Sequence, residues 1–261
     1  MARVRLDVEL VNQGFFATTS DAMRAVMAGD VFTTNRKLTS AGEQVKPGIE
    51  LHVRGGNVYV SRGGIKLERG LTAFKVDPAG CACVDVGCST GGFTDCLLRH
   101  GAASVLSVDV GYAQFDWSLR NDKRVTLLER TNIVDVATPE RVGTIDLAVC
   151  DVSFTSVRAV AGAVWDLLRE DGTFLTLVKP QFETARNQVE EGGVVRSPTV
   201  WLECLETVSQ DLLHKGFAVL DVCASPIVGH KGNHEFLLLA SKGEQRSSVD
   251  FSKAIAQITT S

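Results

Sequence analysis

The sequence predicts a doubly wound α/β domain preceded by a small α+β module. From residue 64 onward, apolar runs of four or five residues alternate with helical stretches. A glycine-rich turn, Gly87 to Gly92, joins the first such run to a helix, whereas the first 54 residues read as two helices followed by short strands. The 261 residues suffice for one ordinary domain plus a small one, and 44% apolar with 22% charged residues is a composition that buries a real core. No apolar run approaches the roughly 18 residues of a membrane span. The opening Met1-Ala2-Arg3-Val4-Arg5-Leu6-Asp7 has no signal-peptide core. No membrane contact and a cytoplasmic location are therefore expected.

The front module is built from local signals. Leu6, Leu10 and Val11 share a helical face that Gly14 terminates, and Thr18, Thr19 or Ser20 caps a second helix running through Ala22, Val26 and Met27 to Gly29. Residues 31–34 and 49–53 read as short strands around a turn near Asn35-Arg36-Lys37. Charge concentrates here: residues 1–75 hold 11 Lys/Arg against 7 Asp/Glu, the remainder 16 against 24. A basic surface is what phosphate contact requires. The stretch resembles the S-four type RNA-binding domain through Arg5-Leu6-Asp7, Leu10, Gly14, Ser20, Ala22, Val26, Gly29, Val31, Asn35 and Val45-Lys46-Pro47-Gly48-Ile49. Asp21 stands where that family often has arginine. The resemblance makes Arg5, Arg24, Arg36, Lys37, Lys46, Arg54 and Arg62 the expected RNA contacts. The expected domains are 1–57, a linker 58–63 with a strand-like Val58-Tyr59-Val60, 64–243, and a polar tail 244–261.

Within the large domain, helices are expected over 64–74, 92–100, 114–121, 156–169 and 199–215. Strands are expected over 84–86, 104–108, 125–128, 147–150, 174–178, 218–222 and 236–239. Continuous apolar strands between helices read as a Rossmann-like parallel sheet covered on both faces. The seven cysteines fall in apolar runs, with no C-x-x-C pair and no clustered histidines, so neither a disulfide framework nor a metal site is expected.

The turn Asp85-Val86-Gly87-Cys88-Ser89-Thr90-Gly91-Gly92-Phe93 sits where the first strand enters a helix. Gly87 permits a tight turn, and Gly91 and Gly92 let a ligand approach the backbone. Asp109, followed by Val110, ends the second strand at the position from which a carboxylate grips ribose hydroxyls. A dinucleotide fingerprint needs G-x-G-x-x-G, but residue 89 is serine and the next glycines fall at 91 and 92. The looser spacing resembles S-adenosylmethionine methyltransferases. On that resemblance Asp85, Gly87, Ser89, Thr90, Gly91, Gly92, Phe93, Asp109 and Val110 bind the cofactor, Asp85 lies near its cationic methionine end, and Thr131-Asn132 hold its adenine.

Charged residues follow later apolar runs: Asp151 after Val149-Cys150, Lys179 after Leu177-Val178. Glu235 opens the last strand and Lys66 begins the large domain in Ser61-Arg62-Gly63-Gly64-Ile65-Lys66-Leu67. Lys66, Asp151, Lys179 and Glu235 match the catalytic tetrad of FtsJ-like ribose 2′-O-methyltransferases. Together with the front domain and Val178-Lys179-Pro180-Gln181-Phe182-Glu183, they make nearly the whole chain similar to the TlyA family, also called haemolysins. The resemblance implies methylation of cytidine 2′-hydroxyls in ribosomal RNA, with ribosomal RNA or ribosomal subunits as partner. A ribose hydroxyl is a poor nucleophile until its proton is removed, a task assigned to Lys179. Alignment of the methyl donor needs no metal. Tyr59, Phe154 and Phe182 are candidates to stack on a flipped base, and 181–198 is expected to be a lid that orders on RNA. Two other readings are a membrane-lytic protein, which lacks a spanning segment or strongly basic amphipathic helix, and an inert assembly factor, which an intact tetrad opposes.

Overall fold

The computed structural model describes residues 3–13, 15–16, 18–33, 36–49, 51–54, 59–243 and 249–259. The expected helix stop at Gly14, the turn residue Asn35 and the junction 55–58 lie outside them.

In the front module, β1 (Val4–Arg5) leads directly into α1 (Leu6–Asn12), followed by α2 (Thr19–Ala28). The Thr18 hydroxyl caps α2 by accepting from the Asp21 N–H, and Gly29 closes it in the left-handed conformation at φ 77°. Next come β2 (Val31–Phe32), β3 (Lys37–Leu38), β4 (Gln44–Val45) and β5 (His52–Val53). β2 pairs antiparallel with β3 and β5, and β1 with β4. Leu6, Leu10, Ala22, Val26, Val31 and Leu38 are fully buried and form the module's own core. The paired strands are two residues long, shorter than the runs 31–34 and 49–53 suggested.

The large domain contains α3 (Gly63–Phe74), β6 (Ala82–Val86), α4 (Gly92–Arg99), β7 (Ser104–Val108), α5 (Trp117–Arg120), β8 (Val125–Leu128) and β9 (Ile145–Cys150). It continues with α6 (Val157–Leu167), β10 (Leu168–Val178), α7 (Pro180–Glu183), α8 (Pro198–His214), β11 (Phe217–Ala224), β12 (Phe236–Lys242) and α9 (Phe251–Thr259). Its strands form one sheet in the order β11-β12-β10-β9-β6-β7-β8. Strand β10 shows why the apolar runs are continuous: Phe174 and Val178 face the layer of α6 and α8, while Leu175 and Leu177 face that of α3 and α4. Both faces are covered, so alternation disappears.

Three expectations are corrected. The sheet is not wholly parallel: β12 runs antiparallel to β10 and β11, because residues 225–235 contain no full crossover helix and the chain reverses as a hairpin. The polar tail contains α9, whose Phe251, Ala254, Ile255 and Ile258 recur at helical spacing and pack on the sheet's core. Val60 and Tyr59 form a bend rather than a strand.

Segment 181–198 is also more ordered than a free loop. Glu183 accepts hydrogen bonds from the Ser156 hydroxyl and the Val157 N–H, and the Asn233 side chain bonds both Gly193 O and Val195 N. Val194 and Val195 are buried, so the segment packs onto the domain.

Candidate active site

The chain leaves β6, builds β7 and β8 on one side, then returns to place β9 on the other. Open α/β sheets bind ligands at the carboxyl ends beside such a reversal. Here a cavity of about 220 Å³ is lined by Gly87, Ser89, Thr90, Gly92 and Phe93 of the glycine loop, Lys66, Asp151 and Lys179, together with Ser61, Arg62, Gly63, Cys88, Ser153, Val228 and Gly229.

Two glycines make this geometry possible. Gly87 has φ 81°, and a Cβ there would lie 2.8 Å from Asp151 O and 3.1 Å from its carbonyl carbon, both backbone atoms. A Cβ on Gly92 would lie 2.2 Å from Ser61 Oγ and 3.0 Å from Gly64 N. The amino ends of α3 and α4 thus meet at the cavity, where Gly63, Gly92 and Phe93 line it. Such ends favour an anionic group, and an amino acid carboxylate suits them. A Gly87→Ala variant is expected to lose cofactor binding and at least about 1–2 kcal/mol of stability from its left-handed φ alone. Calorimetric titration with S-adenosylhomocysteine and a melting curve check both, and wild-type affinity would refute the close approach.

The four tetrad residues come from four places in the chain. Lys66 lies on α3, and its Nζ donates to Glu235 Oε2 at 2.5 Å. Asp151 follows β9 and donates its N–H to Val86 O, which seats it against the Gly87 turn. Lys179 follows β10 and precedes Pro180, which pushes it out of helical conformation to φ −112°, ψ 102°. Its Nζ is ion-paired with Asp151 Oδ1 at 2.5 Å and donates to Ser153 Oγ at 2.8 Å. Two lysine–carboxylate pairs therefore meet at one cavity.

Burial would lower the Lys66 pKa, but Glu235 and Asp151 outweigh it and hold the ammonium above its usual range. Burial likewise pushes Asp151 up, yet Lys179 and Lys66 bring it below the ordinary carboxylate range. Both groups are thus fixed in their charged forms near neutral pH.

Of the expected cofactor residues, Asp85 sits differently from where it was expected. It is fully buried behind the cavity wall, where the Thr94 hydroxyl donates to its Oδ2 at 2.7 Å. A carboxylate in mid-strand points to whichever sheet face its register dictates, and this register turns Asp85 toward α4. Gly91 lies against Leu119 and Phe115. Asp109 accepts from the N–H groups of Ser89 at 2.7 Å and Gly111 at 2.6 Å, tying the glycine loop to the end of β7. Beside it Val110 is exposed, Thr131 Oγ1 donates to Glu129 O, and Asn132 caps a single helical turn by accepting from Val134 N. These four residues flank the cavity at adjacent strand ends and do not line it.

Burial raises the Asp85 pKa from 3.8 to about 7. Below 3.8 this costs the fold nothing. Between 3.8 and about 7 the unfolded chain ionises while the folded one stays neutral, so stability falls as pH rises through that window. Asp85→Asn is therefore expected to melt higher than wild type at pH 8 and to gain nothing at pH 4, measured without cofactor. No gain at pH 8 would show that the carboxyl is not the cost.

On the front module Arg5, Arg24, Arg36, Lys37, Lys46 and Arg54 are exposed. Arg5, Arg24 and Arg36 are paired with Asp7, Asp21 and Glu43, while Lys37 and Arg54 lie over the Phe32 ring. Arg62 is half-buried and lines the cavity beside the glycine loop as well as a second cavity, shared with Glu9, Gln13 and Lys231, between module and domain. Tyr59 is core: its hydroxyl donates to Glu68, so it offers no face for stacking. Phe154 is 93% exposed at φ 61°, its ring 5.4 Å from that of Phe182. Sequence reasoning missed Ser61, Ser153 and the 228–229 loop as cavity residues. Ser153 had one available signal, its place two residues past Asp151; the loop had none.

Residues 59–242 match the family described as FtsJ-like methyltransferase. The 16S/23S rRNA (cytidine-2′-O)-methyltransferase TlyA of Mycobacterium tuberculosis is 41% identical over 239 residues, covering 90% of this chain and 89% of that protein. Hemolysin A of Brachyspira hyodysenteriae is 37% identical over 235 residues, covering 90% and 98%. A solved structure from Streptococcus thermophilus, grouped by name with the hemolysins, is 37% identical with a TM-score of 0.76, covering 100% of this chain and 97% of that one.

Proposed function

The chain belongs to the FtsJ-like methyltransferase family, and on that premise we propose that it methylates the ribose 2′-hydroxyl of cytidine in ribosomal RNA, with Lys179 receiving the proton. The observation that carries this is the convergence of Lys66–Glu235 and Lys179–Asp151 on the cavity walled by the glycine loop.

S-adenosylmethionine, when bound, would supply an electrophilic methyl on a sulfonium, with a neutral thioether as the leaving group. Gly87, Gly92 and the amino ends of α3 and α4 fit its amino acid end, and Asp109 at the end of β7 fits its ribose. Lys66 is held as an ammonium by Glu235 and Asp151, so it orients groups and does not accept a proton. Lys179 is the remaining amine. In its neutral form it takes the 2′-hydroxyl proton as the oxygen forms its bond to the methyl, and the new ammonium is stabilised at once by Asp151. Ser153 Oγ fixes the direction of Nζ. Phe154, beside Ser153, presents an aromatic face to the cytosine. The exposed cations of residues 5–54 supply phosphate contacts for the rest of the RNA. Among the described residues no helix is long and apolar enough to cross a membrane.

The test is labelled methyl transfer to purified ribosomal subunits, followed by mapping of alkali-resistant linkages. Label at a cytidine whose 3′ linkage resists alkali is expected. Label on a base, or none with active cofactor binding, would overturn the reading.

A further inference from the structure

Behind the glycine loop, away from the catalytic cavity, α3 and α4 bring together one carboxylate, one thiol and one imidazole. Glu68 Oε2 lies 3.2 Å from His100 Nε2 and 3.9 Å from Cys96 Sγ, and Sγ lies 3.8 Å from the other ring nitrogen. One ligand atom from each residue fits within a span of 4.8 Å. We propose that Glu68, Cys96 and His100 form a site for a thiophilic divalent cation of the zinc class, with water as fourth ligand, that clamps α3 to α4.

The orientation of His100 supports this. Its Nδ1 lies 2.9 Å from Cys96 O, a carbonyl that only accepts, so Nδ1 carries the hydrogen. That leaves Nε2 facing the carboxylate oxygen at 3.2 Å, a contact that either a proton on Nε2 or a cation shared by the two atoms satisfies; the thiol beside them is what favours the cation. A histidine whose Nδ1–H is held by a backbone carbonyl is the arrangement found around zinc-bound imidazoles. The Tyr59 hydroxyl donates to Glu68 Oε2, orienting the carboxylate in the same way.

The spacing fits as well. Zinc bonds of about 2.0–2.2 Å to N or O and about 2.3 Å to S give tetrahedral edges of about 3.3–3.6 Å. The two edges at Glu68 Oε2, 3.2 and 3.9 Å, bracket that range, and all three ligand atoms lie within 4.8 Å of one another, so binding draws the thiol inward. Cys96 is fully buried, whereas the His100 and Glu68 side chains are 33% and 41% exposed, which opens the site to an entering ion and to water. Nearby Arg99 is paired with Asp95 at 2.7 Å and stacks on Tyr59, so its charge is directed elsewhere.

Cys96 is buried beside the Glu68 carboxylate, surroundings that favour the protonated sulfur. Without a cation it therefore stays a thiol. On binding, the Sγ–H bond breaks, the metal–sulfur bond forms and one proton goes to solvent. The clamp bears on catalysis through position: Glu68 is two residues past Lys66 on α3, and Cys96 belongs to the helix whose first residues, Gly92 and Phe93, line the active cavity.

The full-length chain, stripped with chelator and titrated with cobalt and then zinc, is the test. One equivalent per chain, a thiolate-to-cobalt absorption band, one proton released and a higher melting temperature are expected. His100→Ala, on the exposed rim, is expected to keep its fold and lose more than about a hundredfold in affinity. Tyr59→Phe is expected to lose about ten- to a hundredfold. Cys96→Ser should remove the band, and His100→Ala keeps the test decisive if burial makes that variant unstable. No thiolate band, or unchanged binding in His100→Ala, would overturn the site and leave His100–Glu68 an ordinary ion pair.

Discussion

Lys179→Ala is expected to lower single-turnover methyl transfer to ribosomal RNA by about 10²–10⁴-fold, the usual contribution of a positioned general base. Cofactor affinity should change little by comparison, because the cofactor contacts assigned above come from the glycine loop, the amino ends of α3 and α4, and Asp109. Lys179→Arg separates proton transfer from charge. It keeps a cation beside Asp151, but a guanidinium does not give up its proton in a protein, so it cannot act as the base. Arginine is therefore expected to rescue stability and not rate. An Arg variant as active as wild type would remove Lys179 from the proton-transfer role, whatever its place in the cavity.

Glu235→Gln should produce the largest loss of stability. Glu235 and Lys66 form an ion pair at 2.5 Å whose side chains are 3% and 12% exposed, and removing the carboxylate leaves the buried ammonium only Asp151, which is already paired with Lys179. Breaking one side of such a pair costs about 3–5 kcal/mol. For a domain of this size that lowers the melting temperature by on the order of 10 °C. The double variant Glu235→Gln, Lys66→Met removes both charges and is expected to recover most of the loss. Its methyl transfer should stay low, because Lys66 no longer orients the reacting groups. Recovery of activity with stability would mean that the pair serves the fold alone.

Much of this architecture was legible from residue order. The apolar runs over 104–108 and 125–128 are β7 and β8 with the same boundaries, because each is a short apolar run bounded by polar or turn residues. The Gly29 stop of α2 was legible because it acts within a turn of its own position, while the cap was narrowed to Thr18, Thr19 or Ser20 and the folded backbone selects Thr18. Residue types at the ends of β9 and β10 likewise pointed to Asp151 and Lys179.

What the sequence determined by itself, then, was set by interactions among near neighbours: where strands and helices run, which turn is glycine-built, and which charged side chains stand at strand ends. Tertiary structure decided the rest, because those outcomes depend on surfaces that meet only after folding. Lys66 and Glu235 are 169 positions apart and pair only when α3 packs across the β11–β12 loop. The direction of β12, the burial of Asp85 and the docking of α9 follow from which sheet face each element covers. The Glu68–Cys96–His100 cluster arises in the same way, from two helices laid side by side by glycine contacts at their amino ends.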